Sequence, residues 1–286
     1  QEERQDIVKN VKAMLMHKLG NVIVNNTDNL LISSFVGVVT AGIYSNYYLV
    51  IGSIRQVLEQ ADILEDKYKN GAGGKKQFCI STQHYSFAVN AFVDLIKEYG
   101  QDEYDFSIRE TQTYEIIEDV SRLRSEVGVL YLNEFNRPVL TRVLREHELE
   151  FHPLFTARPH VFVSKANPLA ERRALTLDDL APYPRLSYEQ GEHNAFYFSE
   201  EILSTLECDK EIMVSDRATL FNLLIGLNGY TICSGVINNE LNGPNITAVP
   251  LDVDDCMEIG YLLHKRTVPN RFTEAYIDAL RRHTGD

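Results

Sequence analysis

The sequence predicts an α/β protein built on parallel sheet, and three observations carry that prediction. Short apolar runs alternate with amphipathic stretches of about ten residues over most of the chain, the pattern of strands and their covering helices. Polar turns rich in hydroxyl and amide side chains separate the two kinds of run. The pattern starts afresh after Lys165-Ala166-Asn167-Pro168-Leu169, which predicts two such units in succession.

The first unit opens at Gln77. Gln77–Ile80 is a short apolar run read as a buried strand. Phe87, Ala88, Ala91, Phe92, Leu95 and Ile96 then recur at helical spacing until Gly100 stops the helix. Between them lies the polar turn Ser81-Thr82-Gln83-His84-Tyr85. The first N–H groups of a helix have no partner inside it, and the helix dipole favours negative charge there. The turn is therefore a candidate seat for a small anion or carboxylate, with ordinary helix capping as the plainer alternative.

Further strands are predicted over Tyr104–Arg109, Val127–Leu132, Glu150–Phe155 and His160–Ser164, and helices over Thr111–Leu123 and Arg137–His147. In the second unit Thr176-Leu177-Asp178-Asp179-Leu180 reads as a capped helix start. A strand at Pro184–Ser187, a polar loop at Tyr188–Asn194 and a helix over Ala195–Thr205 follow. Next come a strand at Glu211–Val214, a helix at Ala218–Leu227 and a strand at Tyr230–Cys233. Strands Thr247–Leu251 and Glu258–His264 and a helix over Arg271–Arg282, capped by Asn270, close the chain. That last strand is placed to cross back to the first unit. In such sheets ligands gather beyond the carboxyl ends of the strands.

With 286 residues, 44% of them hydrophobic and 24% charged, the chain has the composition of a folded protein with a real core. Residues 1–76 carry one net positive charge, whereas residues 77–286 carry fourteen net negative ones. Such an acidic body repels phosphate backbones, so it is not itself a nucleic-acid surface. Cys79, Cys208, Cys233 and Cys256 are far apart, which predicts free thiols in a reducing, cytoplasmic setting rather than disulfides or a zinc site.

The front of the chain differs. It opens on Gln1, as an incomplete or chimeric chain does. Leu30–Ile54 holds no charged residue in 25 positions, long enough for the roughly 20 residues that span a bilayer. Residues 1–54 are thus expected to form a hydrophobic helical segment, either inserted in a membrane through residues 30–54 or packed as a helical hairpin. From His17 to Ile54 the sequence resembles a fragment of a polysaccharide flippase, on HK-x-G, the N-x-T-D-N run at Asn25–Asn29, and GIYSNYYL. Arg55–Tyr68 (RQVLEQADILEDKY) is an amphipathic helix, and Asn70–Lys76 (NGAGGKK) a linker that ends a 55–76 connecting segment.

Residues 55–283 resemble the linker helix and effector-binding domain of LysR-type transcriptional regulators. The resemblance is carried by RQVLEQADILEDKY, FCISTQHYSFAVNAF, SEVGVLYL, FTARPHVFVSKANPLAERRALTLDDLAPYPRLSY and MVSDRATLFNLLIGLNGYTICSG. It implies a two-lobed fold like the type 2 periplasmic binding proteins. Lobe I would comprise about 77–157 and 265–286, and lobe II about 158–264, with two crossover strands and a small effector between them. It places effector contacts at Ser81, Thr82, Gln83 and His84, at Leu130 and Tyr131, at Ser187 and Tyr188, at Ser215 and Thr219, and at Ser234. Nearly all of these offer polar groups, which suits a small polar or anionic metabolite. The resemblance also implies a homodimer or homotetramer and DNA binding by a preceding winged helix-turn-helix. Residues 1–54 show no basic recognition helix, so the expectation is a sensing module without a recognisable DNA-binding domain in this chain.

The other chemistries are weaker. Glu189, Glu192 and His193 share a loop but lack the convergence of metal ligands, so no metal or cofactor is expected. Ser81 and Thr82 have no base nearby in sequence, and no enzyme activity is expected. Asp216-Arg217 reads as a local ion pair, with a second-lobe contact as the alternative. A solute-binding protein of a transporter, or a membrane-anchored fusion, remains as the alternative function.

Overall fold

The computed structural model describes residues 76–100, 103–236 and 245–284, together with part of 43–58. The chain divides into two units, Gln1–Leu64 and Glu65–Asp286. In the first, the described positions between 43 and 58 are helical. Among the described residues no helix is long and apolar enough to cross a membrane. The remaining expectations for residues 1–54, and nearly all of the Arg55–Tyr68 helix, lie outside the described residues.

In the second unit the described residues form two five-stranded sheets. The first contains β1 (Lys76–Thr82), β2 (Tyr104–Glu110), β3 (Val127–Leu132), β4 (Leu149–Ala157) and β10 (Met257–His264), in the order β2-β1-β3-β10-β4. The second contains β5 (His160–Ser164), β6 (Arg185–Tyr188), β7 (Glu211–Val214), β8 (Tyr230–Cys233) and β9 (Ile246–Pro250), in the order β7-β6-β8-β5-β9. The chain passes between sheets twice, after β4 and after β9.

Both sheets are mixed rather than purely parallel. β1 pairs in parallel with β2 and β3, but β10 runs antiparallel between β3 and β4. The reason is connectivity: a strand returning from the other lobe enters from the opposite end. β10 therefore lies in the first sheet, whereas the sequence reading set the end of the second lobe at residue 264, this strand's last residue.

The elements form where the apolar spacing demands. All six residues of β3 are buried, as a central strand covered on both faces requires. Helix α1 (Ser86–Tyr99) buries Phe87, Ala88, Ala91 and Leu95 on one stripe and ends at Gly100. Helix α2 (Thr113–Ser121) presses on β3 so closely that a Cβ at Gly128 would lie 2.9 Å from the Ile116 Cγ2. Helix α3 (Arg137–Glu146) buries Leu140 and Leu144 against the same sheet. In the second lobe, α4 (Leu177–Leu180) opens with the Thr176–Asp179 capping box, and α5 (Arg217–Leu227) is capped by the Asp216 carboxylate, which accepts from the Thr219 N–H. Helix α6 (Arg271–His283) is capped by Asn270 as expected and packs on α1, where the Tyr276 hydroxyl donates to the Ala88 carbonyl.

The helix expected over Ala195–Thr205 does not form. In its place is a short 3-10 turn, Phe196–Phe198, followed by turns, and a second 3-10 turn, Gly191–His193, precedes it. Tertiary contacts override propensity here. Phe198 is buried in the core of the first lobe beside Leu130, Leu140 and Ile116, and Tyr197 stacks on Phe135. A regular helix on the second lobe would not deliver both rings to the first.

Candidate functional site

The turn that follows β1 faces the second lobe. His84 is its centre. Its Nδ1 lies 2.9 Å from a Glu200 carboxylate oxygen, and its backbone N–H donates to the same carboxylate at 2.9 Å. Its ring stacks on Tyr188 from the end of β6. Glu200 also accepts from the Gln190 amide at 3.3 Å, and the Gln190 carbonyl accepts from the Thr113 N–H at the start of α2. Two further contacts cross the cleft: Arg217 pairs with Glu110 at 3.1 Å, and the Tyr131 hydroxyl donates to the Ser199 carbonyl at 3.2 Å.

Behind this seam lies a partly open cavity of about 40 Å³, room for no more than a few waters. Its walls come from both lobes and include His84, Tyr188, Glu201, Phe162, Phe221 and Ser234. A second hollow, about 620 Å³, is an open groove on the first lobe among Arg109, Glu110, Glu118, Asp119 and Arg124. It is the larger, but Asp119 already pairs there with Arg124 at 2.8 Å and Arg109 at 3.4 Å. The smaller, less open space shared by both lobes is the better binding site.

The charges at the seam perturb one another. Burial works against the His84 imidazolium, but the adjoining Glu200 carboxylate outweighs it and holds the pKa above the usual histidine value. Burial and the neighbouring Glu200 charge push Glu201 up to about 8, although the Tyr188 N–H donates to it. Burial also raises Glu110, against the opposing pull of Arg217 and then His84.

Of the residues expected to contact an effector, the structure brings His84, Tyr188 and Ser234 together on the cavity wall. Gln83 and Tyr131 are buried just beneath it. The Gln83 amide donates to the Thr113 hydroxyl at 2.6 Å, and its carbonyl accepts from the Tyr85 hydroxyl and the Tyr131 N–H. Gln83 acts on the seam through these neighbours, and Tyr131 also reaches across it to the Ser199 carbonyl.

The others are placed elsewhere. The Ser81 hydroxyl donates to Asp119 at 2.7 Å and bonds Ser125 inside the first lobe, because alternate strand residues face opposite sides of the sheet. The Thr82 hydroxyl donates to the backbone carbonyl of Gln83. Leu130 is fully buried in the first-lobe core, an apolar position on a central strand. Ser187 bonds Glu211 within the second sheet. Ser215 is exposed, and the Thr219 hydroxyl donates to its cap Asp216 at 2.6 Å. The local Asp216–Arg217 pair is likewise corrected: Asp216 caps α5, and Arg217 reaches Glu110 in the other lobe.

Sequence reasoning missed Glu200, Glu201, Gln190 and Glu110. The signal was faint. Two adjacent acids inside a stretch expected to be helical carry no mark of burial, yet both are 6% exposed.

Residues 78–285 match the family model described as LysR substrate binding domain. Among solved structures, the chain is similar to a mutant of OxyR from Corynebacterium glutamicum, 16% identical with a TM-score of 0.54, covering 83% of this chain and 73% of that one. It is also similar to the reduced form of the OxyR regulatory domain from Pseudomonas aeruginosa, 13% identical with a TM-score of 0.52, covering 72% and 98%. A third is CbnR, described as a LysR family transcriptional regulator, 14% identical with a TM-score of 0.51, covering 84% and 81%. At these identities the likeness carries the fold. No curated protein matches the chain, and the flippase resemblance of residues 17–54 finds no support.

Proposed function

The chain belongs to the LysR substrate-binding domain family over residues 78–285, and from that premise we propose that it senses a small polar or anionic metabolite held between its lobes at the His84–Tyr188 seam. The observation that carries this reading is the small, partly open cavity walled by both lobes and rimmed by His84, Tyr188 and Ser234. A metabolite larger than a few waters enters only when the lobes part, so bound and empty states differ in lobe geometry. A ligand shifts that equilibrium by its difference in affinity for the two states.

Transmission of the lobe movement to a DNA-binding partner segment, and assembly as a homodimer or homotetramer, follow from the family alone. The four free cysteines suit a reducing, cytoplasmic compartment. The test is a thermal-shift screen of amino acids, organic acids and inorganic anions on the full chain, since a bound ligand raises the apparent Tm by mass action. Ser234→Phe fills the cavity and should remove the shift while the fold, followed by circular dichroism, is kept. A hit whose shift survives Ser234→Phe rules this cavity out as the sensing site.

A further inference from the structure

The second lobe sends a strap across the cleft, from Gln190 to Glu201. It is anchored on the first lobe at several points, among them the Tyr131 hydroxyl, which donates to the Ser199 carbonyl at 3.2 Å. The Gln190 side-chain Oε1 accepts from the Thr113 N–H at 3.0 Å, and His193 stacks on Tyr114 with centroids 3.6 Å apart. Tyr197 stacks on Phe135 at 4.7 Å, and Phe198 enters the first-lobe core. At its end the strap delivers the Glu200 carboxylate, 4% exposed, into the turn that leads into α1. Three donors converge on that carboxylate: the His84 backbone N–H, the His84 ring nitrogen and the Gln190 amide.

A buried carboxylate held in this way has the surroundings that a small organic acid would need, but the carboxylate belongs to the chain. We propose that Glu200 is a tethered occupant of a carboxylate-binding seat, and that the effector is a small carboxylate that takes its place when the strap lifts. This deepens the cleft reading above and rests on it. The apolar walls of the adjoining cavity, Phe162 and Phe221 with the Tyr188 ring, receive the body of the acid while His84 and Gln190 receive its charge. Tethering gives Glu200 a high effective concentration, so it shuts out chance anions. An effector sees only the fraction of molecules whose seat is free, and its apparent affinity is reduced by that fraction.

Acetate is the probe, and the full chain is the sample. Glu200→Ala vacates the seat, so acetate should raise its Tm saturably, with an apparent affinity about tenfold or more above that of wild type. Sodium chloride at equal ionic strength should not. Phe198→Ala loosens the strap and leaves every seat residue in place; it too should bind acetate more tightly than wild type. His84→Ala on the Glu200→Ala background should lose the effect. If both strap variants, folded by circular dichroism, respond to acetate no more than wild type does, the tethered seat is wrong. A screened metabolite that shifts wild type and fails with Ser234→Phe, beside an acetate-blind Glu200→Ala, overturns the seat alone and leaves the cleft reading standing.

Discussion

The imidazole of His84 and the ring of Tyr188 lie face to face across the boundary between the lobes, 3.9 Å between centroids and 6° between planes. One comes from the turn after β1, the other from the end of β6. The stack brings the His84 ring beside Glu200, so a flat contact between aromatic rings sets the geometry of an ion pair.

Removing His84 leaves Glu200 buried without its cation. His84→Ala should destabilise the fold by about 3–5 kcal/mol, the usual cost of breaking a buried pair from one side. Urea unfolding of the full chain measures it. A loss under about 1 kcal/mol would mean that water reaches Glu200 freely.

Stability should fall as pH rises through neutrality. Glu201 keeps its proton in the folded state up to about 8, whereas the unfolded chain releases it near 4.5. Between those values the native state holds more protons, so each pH unit costs up to ~1.4 kcal/mol. His84, raised above 6.5, acts in the same direction: its contribution is complete below 6.5 and is lost as pH climbs through the folded-state value. Glu201→Gln should flatten the slope between about pH 5 and about pH 8. Urea midpoints across that range decide the matter, and an unchanged slope in the variant would place the titration elsewhere.

Leu130 is a core residue. Leu130→Ala should cost about 2–5 kcal/mol by opening a cavity among Ile116, Leu140 and Phe198, while ligand affinity in the surviving folded fraction stays that of wild type. Denaturation and a binding titration separate the two effects.

Phe198→Ala should release the strap. Loss of a buried aromatic costs about 3 kcal/mol or more. Limited proteolysis should then cut between Gln190 and Ser204 faster than in wild type. Equal cutting rates would mean that Gln190 and Tyr197 anchor the strap without it.

Much of this was legible in the residues. β3 reads as a buried strand because VGVLYL holds no charge. α6 starts where Asn270 says it should, with the side chain accepting from Phe272 and Thr273. Within the polar turn at 81–85, the structure sets His84 against Tyr188 and Glu200 of the other lobe. Ser81 was less legible, since the same hydroxyl in the same turn serves Asp119 or a ligand according to which face of the strand it lies on.

Strand and helix alternation, the turn before α1 and the family itself were determined by the sequence, because period, capping and chain order are local properties. Tertiary structure alone decided that β10 runs between β3 and β4, that residues 196–198 abandon a helix to reach the first lobe, and that Glu200 sits on His84, 116 positions away in the chain. The physical reason is that such contacts form only when the two lobes close on each other. No short window of sequence records which buried acid will then meet which buried base.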